Sequence, residues 1–278
     1  MNLHTNITSA SKTNFSSKQH PFHILTKSYC PFFLSISVFL SVLALIVFFN
    51  YKQCSGLNFL SGLALISFLI TFRQWVKEIW QESDAGHHTE AVSNGFRMGF
   101  ILFICTEIMF FFSFFWGFFH FSLSPSVQIG NVWPPLGIET FSPWKVPLLN
   151  TLILLTSGLT VTLAHLFILN DDYTQAWQYL ARTILLGVIF LMLQYWEYNS
   201  SAFSISDSVY GSIFFLLTGF HGFHVFVGTV FLIVVFKRLI SFTLFSDDHV
   251  SFELASWYWH FVDVVWIFLY TFVYIWSS

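Results

Sequence analysis

Apolar residues in this chain are gathered into seven long stretches that short polar segments separate. The stretches are Phe32–Phe49, Leu57–Trp75, Gly95–Phe121, Val146–Leu169, Trp177–Tyr198, Val209–Phe236 and Ala255–Trp276. A helix of about 20 apolar residues, rising ~1.5 Å per residue, crosses the hydrocarbon core of a bilayer. The stretches are too long and too uniformly apolar for the strands of a membrane barrel. The pattern therefore predicts an all-α polytopic membrane protein with seven transmembrane helices.

Lysine and arginine residues near the ends of these stretches are distributed very unevenly between the two sides of the membrane. Seven crossings place the two termini on opposite sides. The side of the N-terminus receives Lys12, Lys18, Lys27, Arg73, Lys77, Arg97, Arg182, Lys237 and Arg238. The other side receives only Lys52 and Lys145. Because basic residues concentrate on the cytoplasmic or matrix side, the N-terminus is predicted to lie there and the C-terminus outside.

The polar segments indicate how the chain runs outside the membrane. The outer connection Ser122–Lys145 is rich in proline and is predicted to be extended and turning rather than helical. Pro147 suits the first turn of the fourth helix. The inner connection Glu82–Asn94 carries acidic and histidine residues and is predicted to be an aqueous loop. Residues 1–19 are predicted to form a polar arm on the cytoplasmic or matrix side, ahead of a membrane domain over residues 20–278.

Composition narrows the class of protein further. Of 278 residues, 55% are hydrophobic and only 9% are charged, which leaves too little polar surface for a soluble domain. The formal charge of −3 provides no basic patch for nucleic acid. The cysteines lack CxxC spacing, and the chain contains no GxSxG, HExxH or P-loop motif. A hydrolase or a thiolate metal site is therefore not indicated.

Glu107 lies near the middle of the third stretch, where lipid surrounds a helix. A carboxylate at that depth costs roughly 2.5–3.5 kcal/mol, so it is expected to face other helices or a polar cavity. Its neighbours on the same helix face, such as Phe103 and Phe111, offer no cation. The partner of Glu107 is therefore expected on another part of the chain.

Other polar residues inside the stretches allow several interpretations. They are His165, His221, His224, His260 and Asp263. The first interpretation is a set of satisfied packing groups, because both His221 with His224 and His260 with Asp263 are three residues apart on a helix. The second is a metal site formed by His221, His224 and Glu107. The third is a proton relay through Glu107, His224, Asp263 and His260. No helix repeats histidines at the spacing that stacked haem ligands require.

Several short motifs resemble those of the cytochrome c oxidase subunit III family of mitochondrial type. They are WYWHFVDVVWIFLY (Trp257–Tyr270), GFHGFHV (Gly219–Val225), VPLLNT (Val146–Thr151), WPPLGI (Trp133–Ile138), DSVYGSIFF (Asp207–Phe215) and GHHT (Gly86–Thr89). The resemblance extends from about His20 to the C-terminus. It implies a seven-helix subunit of a haem-copper oxidase, with two helices splayed from the other five around a phospholipid-filled cleft.

The same resemblance implies a function without redox centres in this chain. Haem and copper are implied to belong to partner subunits, and the chain is expected to bind no catalytic cofactor or metal of its own. It is expected to pack on subunit I, together with subunit II and accessory subunits, in the mitochondrial inner membrane. There it would support the stability and proton uptake of subunit I while electrons pass from cytochrome c to O2 and protons are pumped. Glu107 matches the family's buried acid on the third helix.

Structural phospholipids are expected to place their headgroups near the basic residues on the inner side. The candidates are Arg238, His88, Lys237, Arg97 and Lys77, each basic group near the surface contributing ~1 kcal/mol toward an anionic lipid. Arg238 and His88 are favoured because motif and charge both point to them. Lys77 departs from the arginine of relatives, which would contact phosphate in bidentate fashion.

Two alternative functions remain open at this point. One is a membrane protein that conducts protons by itself. The other is subunit III of a bacterial haem-copper or quinol oxidase. Co-elution with haem-containing subunits in mild detergent would distinguish an oxidase subunit from a proton conductor that acts alone.

Overall fold

The computed structural model describes residues 21–25, 27–50, 55–246 and 249–277, with the side chains of 48–50 and 55–60 left out. The predicted arm at residues 1–19 lies outside this part of the chain. The described residues form helices α1 (Cys30–Asn50), α2 (Ser55–Asp84), α3 (Glu90–Leu123), α4 (Val146–Leu169), α5 (Tyr173–Asn199), α6 (Val209–Ile240) and α7 (Val250–Phe268). A π-helical segment, Leu269–Ile275, continues α7. The predicted all-α polytopic fold is confirmed.

Six of the described helices are long and apolar enough to span a membrane. The remaining long helix is α2, whose first side chains are not among those described. The bounds predicted for the inner loop, Glu82–Asn94, were wrong at both ends, because α2 continues to Asp84 and α3 already begins at Glu90. Glu90 lies in the first turn of α3, where a carboxylate interacts favourably with the positive end of the helix dipole. The helices therefore extend beyond the apolar stretches from which they were predicted.

The chain divides into two compact units, residues 1–96 and 97–278. In the first unit, α1 packs against α2. Ser28 Oγ donates to Glu78 Oε2 at 2.6 Å, and Cys30 Sγ donates to Glu78 Oε1 at 3.1 Å. The hydrogen bond from Ser28 is the main reason that the pKa of Glu78 lies below its usual range. These contacts fix the beginning of α1 against the end of α2.

The second unit contains most of α3 and all of α4–α7. Here α4 packs against α5, and α7 packs against both α4 and α6. Trp259 and Trp266 of α7 are fully buried at the centre of this core. Gly187 on α5 makes room for Trp259, because a Cβ atom there would lie 2.7 Å from the Cη2 atom of the indole. Small residues at such points allow membrane helices to approach closely.

Helix α3 joins this unit largely through large aromatic side chains. The ring centroids of Phe110 and Phe220 are 5.0 Å apart, and those of Phe119 and Phe272 are also 5.0 Å apart. Aromatic pairs in such edge-on arrangements contribute about 0.5–1.5 kcal/mol beyond the area they bury. The opposite face of α3 exposes Phe112 and Trp116, as expected for a helix that faces lipid or another subunit.

The connection between α3 and α4 is mainly irregular, as its prolines predicted. Its only described helical part is one short 3₁₀ turn, Val127–Ile129, which Gly130 ends with a left-handed backbone at φ 85°. Trp133 Nε1 donates to Ser277 Oγ at 3.2 Å and ties this connection to the end of the chain. Pro147 occupies the first turn of α4, which confirms the position predicted for it.

Candidate functional site

The expected partner of Glu107 is His224 of α6. Glu107 Oε2 lies 2.9 Å from His224 Nε2, and the two side chains are 21% and 10% exposed. The imidazole lies edge-on to Phe111, with ring centroids 5.0 Å apart, and parallel to Tyr258 at 6.3 Å. The acid is therefore paired inside the second unit, among aromatic rings, rather than presented to lipid.

The contacts of His224 determine where its protons lie. Its Nδ1 atom is 2.7 Å from the carbonyl oxygen of Phe220, one helical turn earlier. A carbonyl oxygen only accepts hydrogen bonds, so Nδ1 must carry a proton and donate it. The short distance between Nε2 and the carboxylate then requires another proton, because two acceptors at that distance would repel each other. The pair therefore holds one shared proton, as imidazolium with carboxylate or as imidazole with carboxylic acid.

His221 does not join this pair although it lies three residues from His224. It is 1% exposed and packs between the rings of Phe190 and Trp266, at centroid distances of 5.7 and 5.1 Å. Neither ring nitrogen has a hydrogen-bond partner among the described residues. The two histidines thus serve different neighbours, and the arrangement does not assemble the three-ligand set of His221, His224 and Glu107.

His260 and Asp263 of α7 approach each other at the ion-pair limit. Nδ1 of His260 lies 3.7 Å from Asp263 Oδ2, and its Nε2 lies 3.3 Å from Thr162 Oγ1 on α4. The imidazole is 45% exposed whereas the carboxylate is buried. Gly158 lets Asp263 reach α4, since a Cβ atom at this glycine would collide with the carboxylate. Within the described chain, no hydrogen bond links this pair to Glu107 and His224, so the proposed relay is not continuous.

The five candidates for headgroup binding differ in their exposure and in the contacts that they already make within the protein. Arg238 is only 8% exposed and donates to Ser251 Oγ and Thr243 O, each at 3.1 Å. Arg97 donates from Nε to Glu253 Oε2 at 2.7 Å. His88 lies against the ring of Phe96 at 5.2 Å in the first unit. The exposed candidates are Lys77 and Lys237.

Sequence reasoning did not select Glu253 or His249, although both face functional candidates. Glu253 pairs with Arg97, and its other oxygen, Oε1, lies 3.1 Å from His249 Nε2. The ring of His249 also lies against that of His165, tilted by 55° with centroids 5.3 Å apart. The spacing of His249 and Glu253, four residues apart at the start of a helix, was the available signal.

A second buried acid lies at the end of α5. Glu197 at the end of α5 is 1% exposed and accepts a hydrogen bond of 2.7 Å from the Tyr274 hydroxyl. Tyr274 lies in the π-helical segment, and such segments often occur where a fold has a specific local requirement. Sequence alone could not show this contact, because the two residues are far apart in the chain.

These features define a polytopic all-α membrane protein whose second unit encloses a proton-sharing pair of Glu107 and His224. A profile of the family described as Cytochrome c oxidase subunit III matches residues 20–278. Cytochrome c oxidase subunit 3 of Pisaster ochraceus is 49% identical over 261 residues, which cover 94% of this chain and 99% of the relative. The subunit of the same name from Arabidopsis thaliana is 48% identical over 263 residues, covering 94% and 98%. The chain belongs to the cytochrome c oxidase subunit III family, which confirms the resemblance of its motifs.

Membership in this family makes the chain a subunit of an oxidoreductase complex of the respiratory chain. It also agrees with the membrane location that the six long apolar helices indicate.

Proposed function

We propose that this chain is a non-redox core subunit of cytochrome c oxidase that packs on subunit I and supports its stability and proton uptake. Electrons then pass from cytochrome c to O2, with proton pumping, through haem and copper held by partner subunits. The observation that carries this proposal is the pairing of Glu107 with His224. It gives the family's buried acid a proton-sharing partner within the same chain, instead of a role as a metal ligand.

The pair supports a role in stability because it joins two helices whose other described contacts include pairs of phenylalanine rings. α3 contributes Glu107 and α6 contributes His224, so the hydrogen bond of 2.9 Å fixes one helix against the other. Burying an ionisable group is costly unless it is paired, and both members lose that compensation if either is removed. Loss of either member would thus weaken the attachment of α3, the helix whose outer face is available to a neighbour.

The surface of α3 supports a partner that is itself embedded in the membrane. Met109, Phe112 and Trp116 are each 60–65% exposed. Subunit I, subunit II, accessory subunits and lipid tails are the proposed neighbours of such apolar surface. The chain would then lie in the mitochondrial inner membrane, with its N-terminus in the matrix and its C-terminus in the intermembrane space.

Structural phospholipids are a further part of the proposal. Arg238 already donates to two groups of the protein, so Lys237 beside it is the better-placed headgroup contact on α6. Lys77 serves as the corresponding candidate on α2. His88 and Arg97 also remain candidates for headgroup binding. His88 lies against the ring of Phe96, and Arg97 is paired with Glu253.

Purification of the tagged full chain in mild detergent tests the proposed function. Co-elution with haem-containing larger subunits, and oxygen reduction by that fraction, are expected. A colourless chain that conducts protons into vesicles by itself would overturn the proposal in favour of an independent proton conductor. Association with a quinol-oxidising complex would instead favour the bacterial type of oxidase.

A further inference from the structure

A second histidine and carboxylate cluster lies apart from Glu107, where the C-terminal part of α4 meets the beginning of α7. His165, His249 and Glu253 each direct one possible ligand atom into it, and these atoms lie within 4.8 Å of one another. Two imidazoles with one carboxylate are a common ligand set for zinc. The three residues are partly buried, so the cluster is formed by the fold yet accessible to an ion.

The backbone orients His249 for such a role. Its Nδ1 atom lies 2.6 Å from the carbonyl oxygen of Ser246, to which it must donate a proton. The remaining ring nitrogen, Nε2, faces Glu253 Oε1, 3.1 Å away. A lone pair on Nε2 and the carboxylate oxygen would repel each other at this distance. A proton or a metal cation between the two atoms relieves that repulsion. A hydrogen bond from the second ring nitrogen to a carbonyl is also the usual support of a metal-binding histidine.

His165 provides an observation that is independent of that pair. Its Nε2 atom is buried and has no hydrogen-bond partner among the described residues. The ring lies between His249 and Phe252, at centroid distances of 5.3 and 5.4 Å. A simple ion pair of His249 and Glu253 leaves this polar atom unsatisfied, whereas a cation at the centre of the cluster gives it a partner.

Arg97 is a further charged group that faces this cluster. Its Nε donates to Glu253 Oε2 at 2.7 Å, which fixes the carboxylate and leaves Oε1 directed at His249. The guanidinium also offsets the negative charge of Glu253, and this lowers the affinity for a cation. A site with these residues is therefore expected to bind less tightly than a structural zinc site with four protein ligands.

We propose that His165, His249 and Glu253 bind one divalent transition-metal ion of the zinc type. A tetrahedral zinc ion with bonds of about 2.0–2.2 Å separates its ligand atoms by roughly 3.5 Å. His165 therefore moves inward by about 1 Å on binding, while His249 Nε2 and Glu253 Oε1, which are 3.1 Å apart, separate slightly. The fourth position takes water. This proposal departs from the sequence-based expectation of no metal in this chain.

Zinc content of the purified oxidase complex tests the site. Wild type and the variants His165→Gln, His249→Gln and Glu253→Gln are equilibrated with Zn²⁺ alone, desalted and analysed for zinc per haem. His120→Gln is the matched control. His120 is an exposed histidine near the end of α3, whereas Arg97, which contacts the cluster, lies near the beginning of that helix. The wild-type complex and the control complex are each expected to retain one zinc ion more than the complex of any of the three variants. The variants are expected to bind this ion at least ~10-fold more weakly, since loss of even an outer-shell partner has that effect. Equal zinc content in wild type and the three variants overturns the proposal.

A second measurement covers the case in which a variant does not assemble. The wild-type complex equilibrated with Zn²⁺ is examined by anomalous diffraction at the zinc edge. A peak about 2.0–2.2 Å from ligand atoms of His165, His249 and Glu253 is expected. A zinc-loaded complex without a peak there overturns the proposal.

Discussion

Trp259 on α7 donates a hydrogen bond of 2.8 Å from its indole Nε1 to Ser157 Oγ on α4, and both residues are fully buried. A buried indole N–H needs a partner, and lipid or apolar side chains supply none. This contact therefore fixes the rotation of α7 relative to α4 at the centre of the second unit.

The variant Ser157→Ala is expected to destabilise the subunit by roughly 1 kcal/mol, because the indole donor stays buried without an acceptor. Graded heating of the purified complex, followed by native electrophoresis, measures the temperature at which the subunit is released. Thr156→Ala is the control, since its hydroxyl is exposed and bonds only to carbonyls of its own helix. Equal release temperatures for both variants would contradict the role of this contact.

Gly187 is expected to tolerate no side chain. A Cβ atom there would lie 2.7 Å from Trp259 Cη2 and 2.9 Å from Thr229 Oγ1, so Gly187→Ala should destabilise the unit by about 1–3 kcal/mol. Gly222→Ala on α6 meets nothing within 4 Å and should be neutral or slightly stabilising. The same heating assay compares the two, and a neutral Gly187→Ala would show that α5 shifts away from Trp259 at little cost.

Asp172 is expected to make the stability of the α5 N-terminus depend on pH. Its carboxylate accepts from Thr174 Oγ1 at 2.6 Å and from Gln175 N at 3.2 Å, and the first of these contacts is the main reason that its pKa is lowered. A lowered pKa in the folded state adds stability above the ordinary value of about 3.9, and that stability is lost as pH falls through the folded value.

Asp172→Ala should therefore be less stable than wild type at pH 7, and the difference should shrink below about pH 4. Asp172→Asn retains an oxygen that can cap the helix but has no titrating group, so its stability should lack this pH dependence. Release of the subunit on heating, measured across the pH range, checks both expectations. A difference between Asp172→Ala and wild type that stays constant down to the lowest pH would argue against the carboxylate as the source.

Glu107→Ala is expected to leave the initial rate of oxygen reduction unchanged while shortening sustained turnover or reducing lipid retention. The substitution removes the shared proton and leaves His224 Nε2 without its carboxylate. Oxygen consumption recorded from the first turnovers to inactivation checks this. Glu107→Gln is the informative companion, because its amide can donate to Nε2 yet carries no titratable proton. Immediate loss of haem reduction in a normally assembled complex would rule out the proposed supporting role.

Substitutions of the adjacent residues Arg238 and Lys237 are expected to have different effects on stability and on lipid binding. Arg238→Gln removes a buried guanidinium with two hydrogen bonds and should lower the stability of the subunit by about 1.5–3 kcal/mol. Lys237→Gln changes an exposed charge, so it should leave assembly intact and weaken binding of anionic phospholipid by ~1 kcal/mol, about 5-fold. Native mass spectrometry of both complexes measures bound lipid, and unchanged lipid affinity in Lys237→Gln would remove it as a headgroup contact.

Much of the fold follows from the sequence because lipid imposes a strong constraint on every spanning segment. Backbone groups in hydrocarbon must bond within their own helix, so a long apolar stretch identifies a helix almost independently of its neighbours. The stretch Val146–Leu169 coincides with α4, and Pro147 takes the first-turn position that its missing N–H group suits. Glu107 was likewise recognisable as a paired acid from the cost of leaving it in lipid.

Tertiary structure alone decided which polar groups meet. His221 and His224 share a helix and a motif, yet one packs against Trp266 and the other pairs with Glu107. Their difference of three positions turns the side chains toward different neighbours, and the identity of those neighbours depends on how the helices are rotated. Arg238 is buried for the same reason, because Ser251 and Thr243 reach it only after the chain turns between α6 and α7. The meeting of His165 with His249 and Glu253 joins residues that no spacing in the sequence relates, since it arises from the packing of α4 on α7.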